Sequence, residues 1–166
     1  PRQNLKQMIT SKLLANLFPY TPKAKRDRFI PALNKFLPKY KIHTAKRVRA
    51  FMATCGVETD YFKTTTEYAS GKAYEGRKDL GNVMPGDGPK FKGHGFFQTT
   101  GRYNHRKVTE ATFAKLGIDF EKEPMKLTEP DIAIESACIF WRDNNGNHRK
   151  DHAAERLTDQ RSRSTA

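Results

Sequence analysis

A mainly α-helical single domain, opened in its middle by a long loop-rich insertion, is the fold class this sequence predicts. Three observations carry the prediction. Apolar residues recur at helical spacing in five separate stretches. Between about Thr64 and Thr100 that period is lost, and nine glycines and prolines punctuate the run from Gly71 to Gly95. A chain of 166 residues suits one core, and neither an internal repeat nor a linker divides it.

The first helical stripe, Leu5, Met8, Ile9, Leu13, Leu17 and Phe18, is imperfect and stops at Pro19 and Pro22. A second helix is expected from about Lys23 to Phe36, with Phe29, Ile30, Leu33 and Phe36 on one face. Pro31 either kinks or starts it, and Pro38 closes it. Thr44 is placed to cap a third helix, in which Val48, Phe51, Met52 and Cys55 fall at i, i+3, i+4 and i+7, the spacing of one buried face. Glu58 is the next residue on that face. The irregular segment that follows is of a kind uncommon in compact domains and usually functional, and its FKGHGFFQTT run can hold a short strand. Helical period returns after Arg102 with Val108, Ala111, Phe113 and Leu116, and stops at Gly117. Thr128, Glu129, Pro130 and Asp131 make a helix start with Thr128 as N-cap. Ile134, Ala137, Cys138 and Trp141 share the stripe that follows, where Trp141 reads as core. Residues 148–166 read as a frayed polar tail.

A hydrophobic fraction of 36% implies a compact core under a heavily charged surface. The chain has no window of about 18 consecutive apolar residues and no secretory signal pattern, so the expectation is a soluble protein made in the cytoplasm. Cys55 and Cys138, the only cysteines, sit on apolar stripes and read as buried free thiols. The net charge of +13 is uneven: residues 1–63 hold 14 Lys and Arg against 3 Asp and Glu, the remainder 17 against 15. Such an electropositive third implies a polyanionic partner: nucleic acid, an acidic lipid surface or an anionic wall polymer. A non-catalytic nucleic-acid-binding protein is the rival that charge supports, but no interleaved aromatic platform or zinc-finger spacing accompanies it.

Glu58 and Glu67 are the leading candidates for chemistry. A glutamate on a core-facing stripe at a helix C-terminus has its charged form disfavoured by desolvation and by the helix dipole, which suits a general acid. From periodicity alone, a surface or salt-bridged Glu58 is the commoner outcome. Paired carboxylates can hydrolyse a glycosidic bond; an inverting pair stands about 6.5 to 9.5 Å apart to admit a water. Asp60, Glu75, Asp79 and Asp87 compete, with Asp87 in PGDG reading as a turn residue. His148 and His152 have the i, i+4 spacing of zinc ligands but lack a third, so no metal and no cofactor is expected. Cys55 with His94 or His105 could form a nucleophile pair, but an apolar stripe suits an inert thiol better. The G-x-G elements lack the setting of a nucleotide-phosphate loop.

The run AYEGRKDLGNVMPGDGPKFKGHGFFQTTGRYN, with FMATCGVETDYF before it and EPDIAIESACIFW after it, resembles the glycoside hydrolase family 19 group, the chitinase-like fold of bacterial chitinases and phage endolysins. The likeness covers roughly residues 44–145. It implies a lysozyme-like helical domain in which the loop-rich insertion forms the cleft. Glu58 falls at the family's general acid and Glu67 at its second carboxylate, the base that activates water. Gln98 and Thr100 match a Q-x-[ST] step that contacts sugar and holds the water. Arg102 and Asn104 match substrate contacts, and Tyr74 and Arg77 match a segment near the cleft. The implied function is a phage-endolysin-like muramidase cutting the β-1,4 bond of bacterial peptidoglycan, with chitin as the alternative substrate. The implied protein is a monomer made in the host cytoplasm that reaches the wall on release, its basic N-terminal region docking on anionic wall or outer-membrane groups. Three positions depart from the family pattern: Val57 where His is common before the acid, His94 where Arg is frequent, and His105 where Tyr follows the Asn. The stretch after Glu67 is also shorter than in plant-type chitinases.

Overall fold

A computed structural model describes residues 8–58, 66–96 and 98–145, with backbone only for residues 57, 58 and 142–145. The domain is mainly α. In chain order the helices are α1 (Ser11–Leu17), α2 (Lys23–Asp27), α3 (Ile30–Lys39), α4 (Ala45–Glu58), α5 (Asp87–Lys90), α6 (Arg102–Leu116) and α7 (Pro130–Asn145). Short 3-10 turns occupy Lys72–Tyr74, Lys78–Leu80 and Pro124–Thr128. No helix among the described residues is long and apolar enough to cross a membrane.

α3 and α6 both pack on α7. The main core joins Leu14 of α1, Leu33, Phe36 and Leu37 of α3, Val48, Phe51, Met52 and Cys55 of α4, and Ile134, Ala137 and Cys138 of α7. Buried Glu135 ties α7 to the end of α3, accepting from Lys39 Nζ at 2.6 Å and from Tyr40 Oη at 2.7 Å. The Thr44 cap is present: Arg47 N donates to its hydroxyl at 3.2 Å. Both cysteines are buried free thiols, and burial pushes Cys138 up to about 12. Trp141 packs on the core edge-on to Phe51, centroids 6.0 Å apart.

Five expectations need correction. The second helix is two, broken at Arg28 and Phe29 so that Pro31 sits near the start of α3, where its missing N–H costs nothing. Pro38 does not close α3, which runs on to Lys39. In α1 it is Leu14 that is fully buried, while Leu17 is 37% exposed, because the helix starts only at Ser11 after its Thr10 cap. In α6 the buried face is His105, Val108 and Thr112, and Phe113 is half exposed; the Thr112 hydroxyl is accommodated by donating to Val108 O at 2.7 Å. At α7, Thr128 ends a 3-10 turn and Pro130 begins the helix, so Thr128 stands one residue before the capping position.

The loop-rich segment between α4 and α6 is held by its own polar wiring rather than by a sheet. Only isolated bridges, Thr66 to His94 and His94 to Thr99, occur there among the described residues. Phe96 anchors the segment, entering the main core edge-on to Phe29 with centroids 5.0 Å apart. Gly71 and Gly88 let two backbones touch, since a Cβ on either would stand 2.6 Å from the other's carbonyl oxygen. Glu75 secures the same junction by accepting from Gly86 N and Gly88 N at 2.7 and 2.8 Å.

Candidate active site

Glu67 follows the Thr66 bridge, which lays it against the Gly93–His94 backbone. Its N–H donates to Gly93 O at 2.8 Å, and Gly93 N returns a bond to Glu67 Oε2 at 2.8 Å. Tyr74 Oη donates to Oε1 at 2.8 Å. A carboxylate has about four acceptor sites, so two donors leave it able to accept from a water molecule. Tyr74 responds in turn: its hydroxyl is raised above the ordinary phenol value, chiefly by the bond to Glu67 and then by burial.

Gly93 is where the cluster closes up. A Cβ there would stand 2.8 Å from Gln98 Oε1, 3.2 Å from Glu67 Cβ and 3.3 Å from Glu67 Oε2. Gln98 has φ 46°, the left-handed region that costs a non-glycine residue about 1 kcal/mol or more. It is held there by Nε2 donating to Gly95 O at 3.0 Å, while its carbonyl accepts from Thr100 Oγ1 at 2.9 Å. Asn104 Nδ2 donates to Thr100 O at 2.8 Å. Glu67, Tyr74, Gln98, Thr100 and Asn104 thus belong to one connected patch. It combines a carboxylate with an amide and a hydroxyl, groups able to orient a small polar molecule.

The remaining expected residues lie differently. Arg102, read as a substrate contact, has its guanidinium engaged: Nη2 and Nε donate to the two oxygens of Asp87 at 2.6 and 2.9 Å, and Nη1 to Glu121 at 3.0 Å. The group also lies 4.7 Å over Phe91. Its pKa is raised, mainly by Asp87, and Asp87 is held below the usual carboxylate range by the same contact. Arg102 is therefore a strut between α5, α6 and Glu121. Asp87 is more than the expected turn residue: it is buried and also accepts from Met84 N at 3.0 Å. Arg77 pairs with Asp79 on the surface. Glu58 ends α4, and its side chain lies outside the described residues. Asp60, His148 and His152 also fall outside them.

His94 and His105 are buried and hydrogen-bonded, Nδ1 to Nε2, at 3.0 Å. His105 Nδ1 must donate to Gly101 O at 2.8 Å, which makes its Nε2 the acceptor of a proton on His94 Nδ1. Burial lowers both to about 4, so each imidazole is neutral near pH 7. The two rings are bonded to each other. No group of three His, Cys, Asp or Glu able to hold a metal occurs among the described residues. Two residues central to the patch escape sequence reasoning: Gly93, whose role is steric rather than conformational, and Asn82, fully buried in the DLGN run. No protein-family model matches the chain, and the site is accordingly read from its own geometry.

Proposed function

We propose that this chain is a glycoside hydrolase that cleaves the β-1,4 glycan bond of bacterial peptidoglycan by an inverting general acid and base mechanism, as a muramidase that lyses a bacterial host. Glu67, held by a donor on each oxygen and meeting Gln98 across Gly93, is the observation that carries this reading. In the reaction Glu67 takes a proton from water while Thr100 orients that water at the anomeric carbon. Glu58 gives a proton to the leaving oxygen. Gln98 and Asn104 contact the sugar beside the reacting ring, and Arg77 lies at the cleft margin. The reaction draws on no cofactor or metal. The protein acts as a monomer, and its basic N-terminal third brings it to anionic wall polymers or outer-membrane phosphates.

Acid or base assistance is worth about 10² to 10⁴ in rate per group. Glu58→Gln and Glu67→Gln should each reduce lysis of purified peptidoglycan by that order with the fold intact by circular dichroism. Product masses, showing which sugar carries the new reducing end, separate muramidase action from cleavage at the other sugar. A parallel digest of chitin tests the alternative substrate. A folded Glu67→Gln protein with wild-type lysis would remove the assignment.

A further inference from the structure

We propose that Tyr74 is a positioning residue for Glu67, fixing the orientation of its carboxylate through a hydrogen-bonded line that Asn82 anchors to the start of α6. The inference rests on the reading in which Glu67 is the base.

Tyr74 Oη donates to Glu67 Oε1 and Gly93 N to Oε2, both at 2.8 Å, so rotation of the carboxylate breaks both bonds at once. Gly93 is backbone and cannot swing away. Tyr74 could, were it not tied behind: Asn82 Nδ2 donates to Tyr74 O at 2.9 Å. Asn82 is fully buried, and its Oδ1 accepts from Arg102 N at 2.9 Å, the first residue of α6. The Arg102 side chain is clamped to Asp87 in α5, so the line ends in the most tightly paired part of the insertion. The sequence alone suggests a sugar contact for Tyr74, whereas here its hydroxyl proton is already committed to Glu67. Among the described residues, Arg77 acts on Tyr74 and the charge of Glu67 acts on His94, which is neutral near pH 7.

The test compares wild type, Tyr74→Phe and Glu67→Gln on soluble, uncrosslinked peptidoglycan glycan strands. Tyr74→Phe keeps the ring and removes only the hydroxyl. It should lower kcat by about tenfold, the worth of one hydrogen bond to a charged group, with KM unchanged. A merely structural role would lower the melting temperature and leave kcat in place, and a sugar-contact role would raise KM and leave kcat alone. Either result, with Glu67→Gln inactive, overturns the proposal while leaving the proposed function standing. If Glu67→Gln retains full turnover, both fall together.

Discussion

Replacing Gly93 by alanine separates the geometry of the patch from the stability of the fold. Gly93 has no positive φ, so an alanine there meets no backbone penalty, and the loss of unfolded-state freedom would add about 0.4 to 1 kcal/mol of stability. Against that, the new methyl group would stand 2.8 Å from Gln98 Oε1, over half an ångström inside ordinary contact, and 3.2 to 3.3 Å from Glu67. The nearest obstacle is the end of a flexible amide, which can move cheaply, so crowding and entropy should leave stability within about 1 kcal/mol of wild type. Activity should not escape so lightly. Displacing Gln98 and Glu67 by even a fraction of an ångström bears on the reacting geometry, where a 1 Å error can cost about 10²-fold. The expected outcome is a urea midpoint close to wild type with kcat/KM on soluble glycan strands down by about 10- to 100-fold. Activity within twofold of wild type would refute the view that Gly93 sets the approach of Glu67 and Gln98. A loss matched by a fall of several kcal/mol in stability would refute the claim that the two are separable.

Two further outcomes follow from the buried polar groups. His94 and His105 have folded values near 4 against an ordinary 6.5, so their neutral forms are the ones the fold favours. That contribution is full above pH 6.5 and is lost as pH falls toward 4, amounting to about 2 kcal/mol per imidazole at pH 5. Urea unfolding at pH 7 and pH 5 should show the drop, and equal stability at the two would count against it. Asp87→Asn turns an acceptor toward the Arg102 guanidinium into a donor. Because Glu121 and partial exposure still serve Arg102, the cost should sit at the low end for a broken buried pair, about 3 kcal/mol in urea unfolding; less than 1 would show the pair to be dispensable.

The helical parts of this chain were legible wherever burial followed a clean 3.6 period. In α4, Val48, Phe51, Met52 and Cys55 are all buried, as their spacing predicts. In α6 the same reasoning finds Val108 and Leu116 but misplaces Ala111 and Phe113, because two of the buried positions are polar. Thr112 satisfies itself on its own helix and His105 finds His94, neither of which a hydrophobic pattern can register. The division of α2 from α3 hides for another reason: Phe29 is buried whether it lies within one helix or between two. In the candidate site, the family resemblance names Glu67, Gln98 and Thr100, but sequence cannot show which of their neighbours are already engaged. Arg102 looks available in sequence and is triply engaged in space. His94 and His105 look like two unrelated departures from a family pattern, and the structure shows them to be one hydrogen-bonded pair.

The strongest reason for singling out Glu67 is what holds the other acids. Asp79, Asp87 and Glu121 are paired to guanidinium groups, and Glu121 is driven down to about 2 by Arg106 and Arg102. A carboxylate clamped by a cation is a poor proton acceptor, since protonation would forfeit the pairing. Among the described residues Glu75 pairs with no cation, and both its oxygens are given to backbone N–H groups where the chain enters α5. Among the described residues, too, Glu67 alone of these five has a neutral hydroxyl on one oxygen and a single backbone N–H on the other, and it meets across Gly93 an amide in a strained backbone conformation. Strain of that kind persists only where the surroundings over-determine it, and it clusters where chemistry is done. The partners of Glu67 orient it without pairing it to a cation, which is the arrangement the proposed base requires.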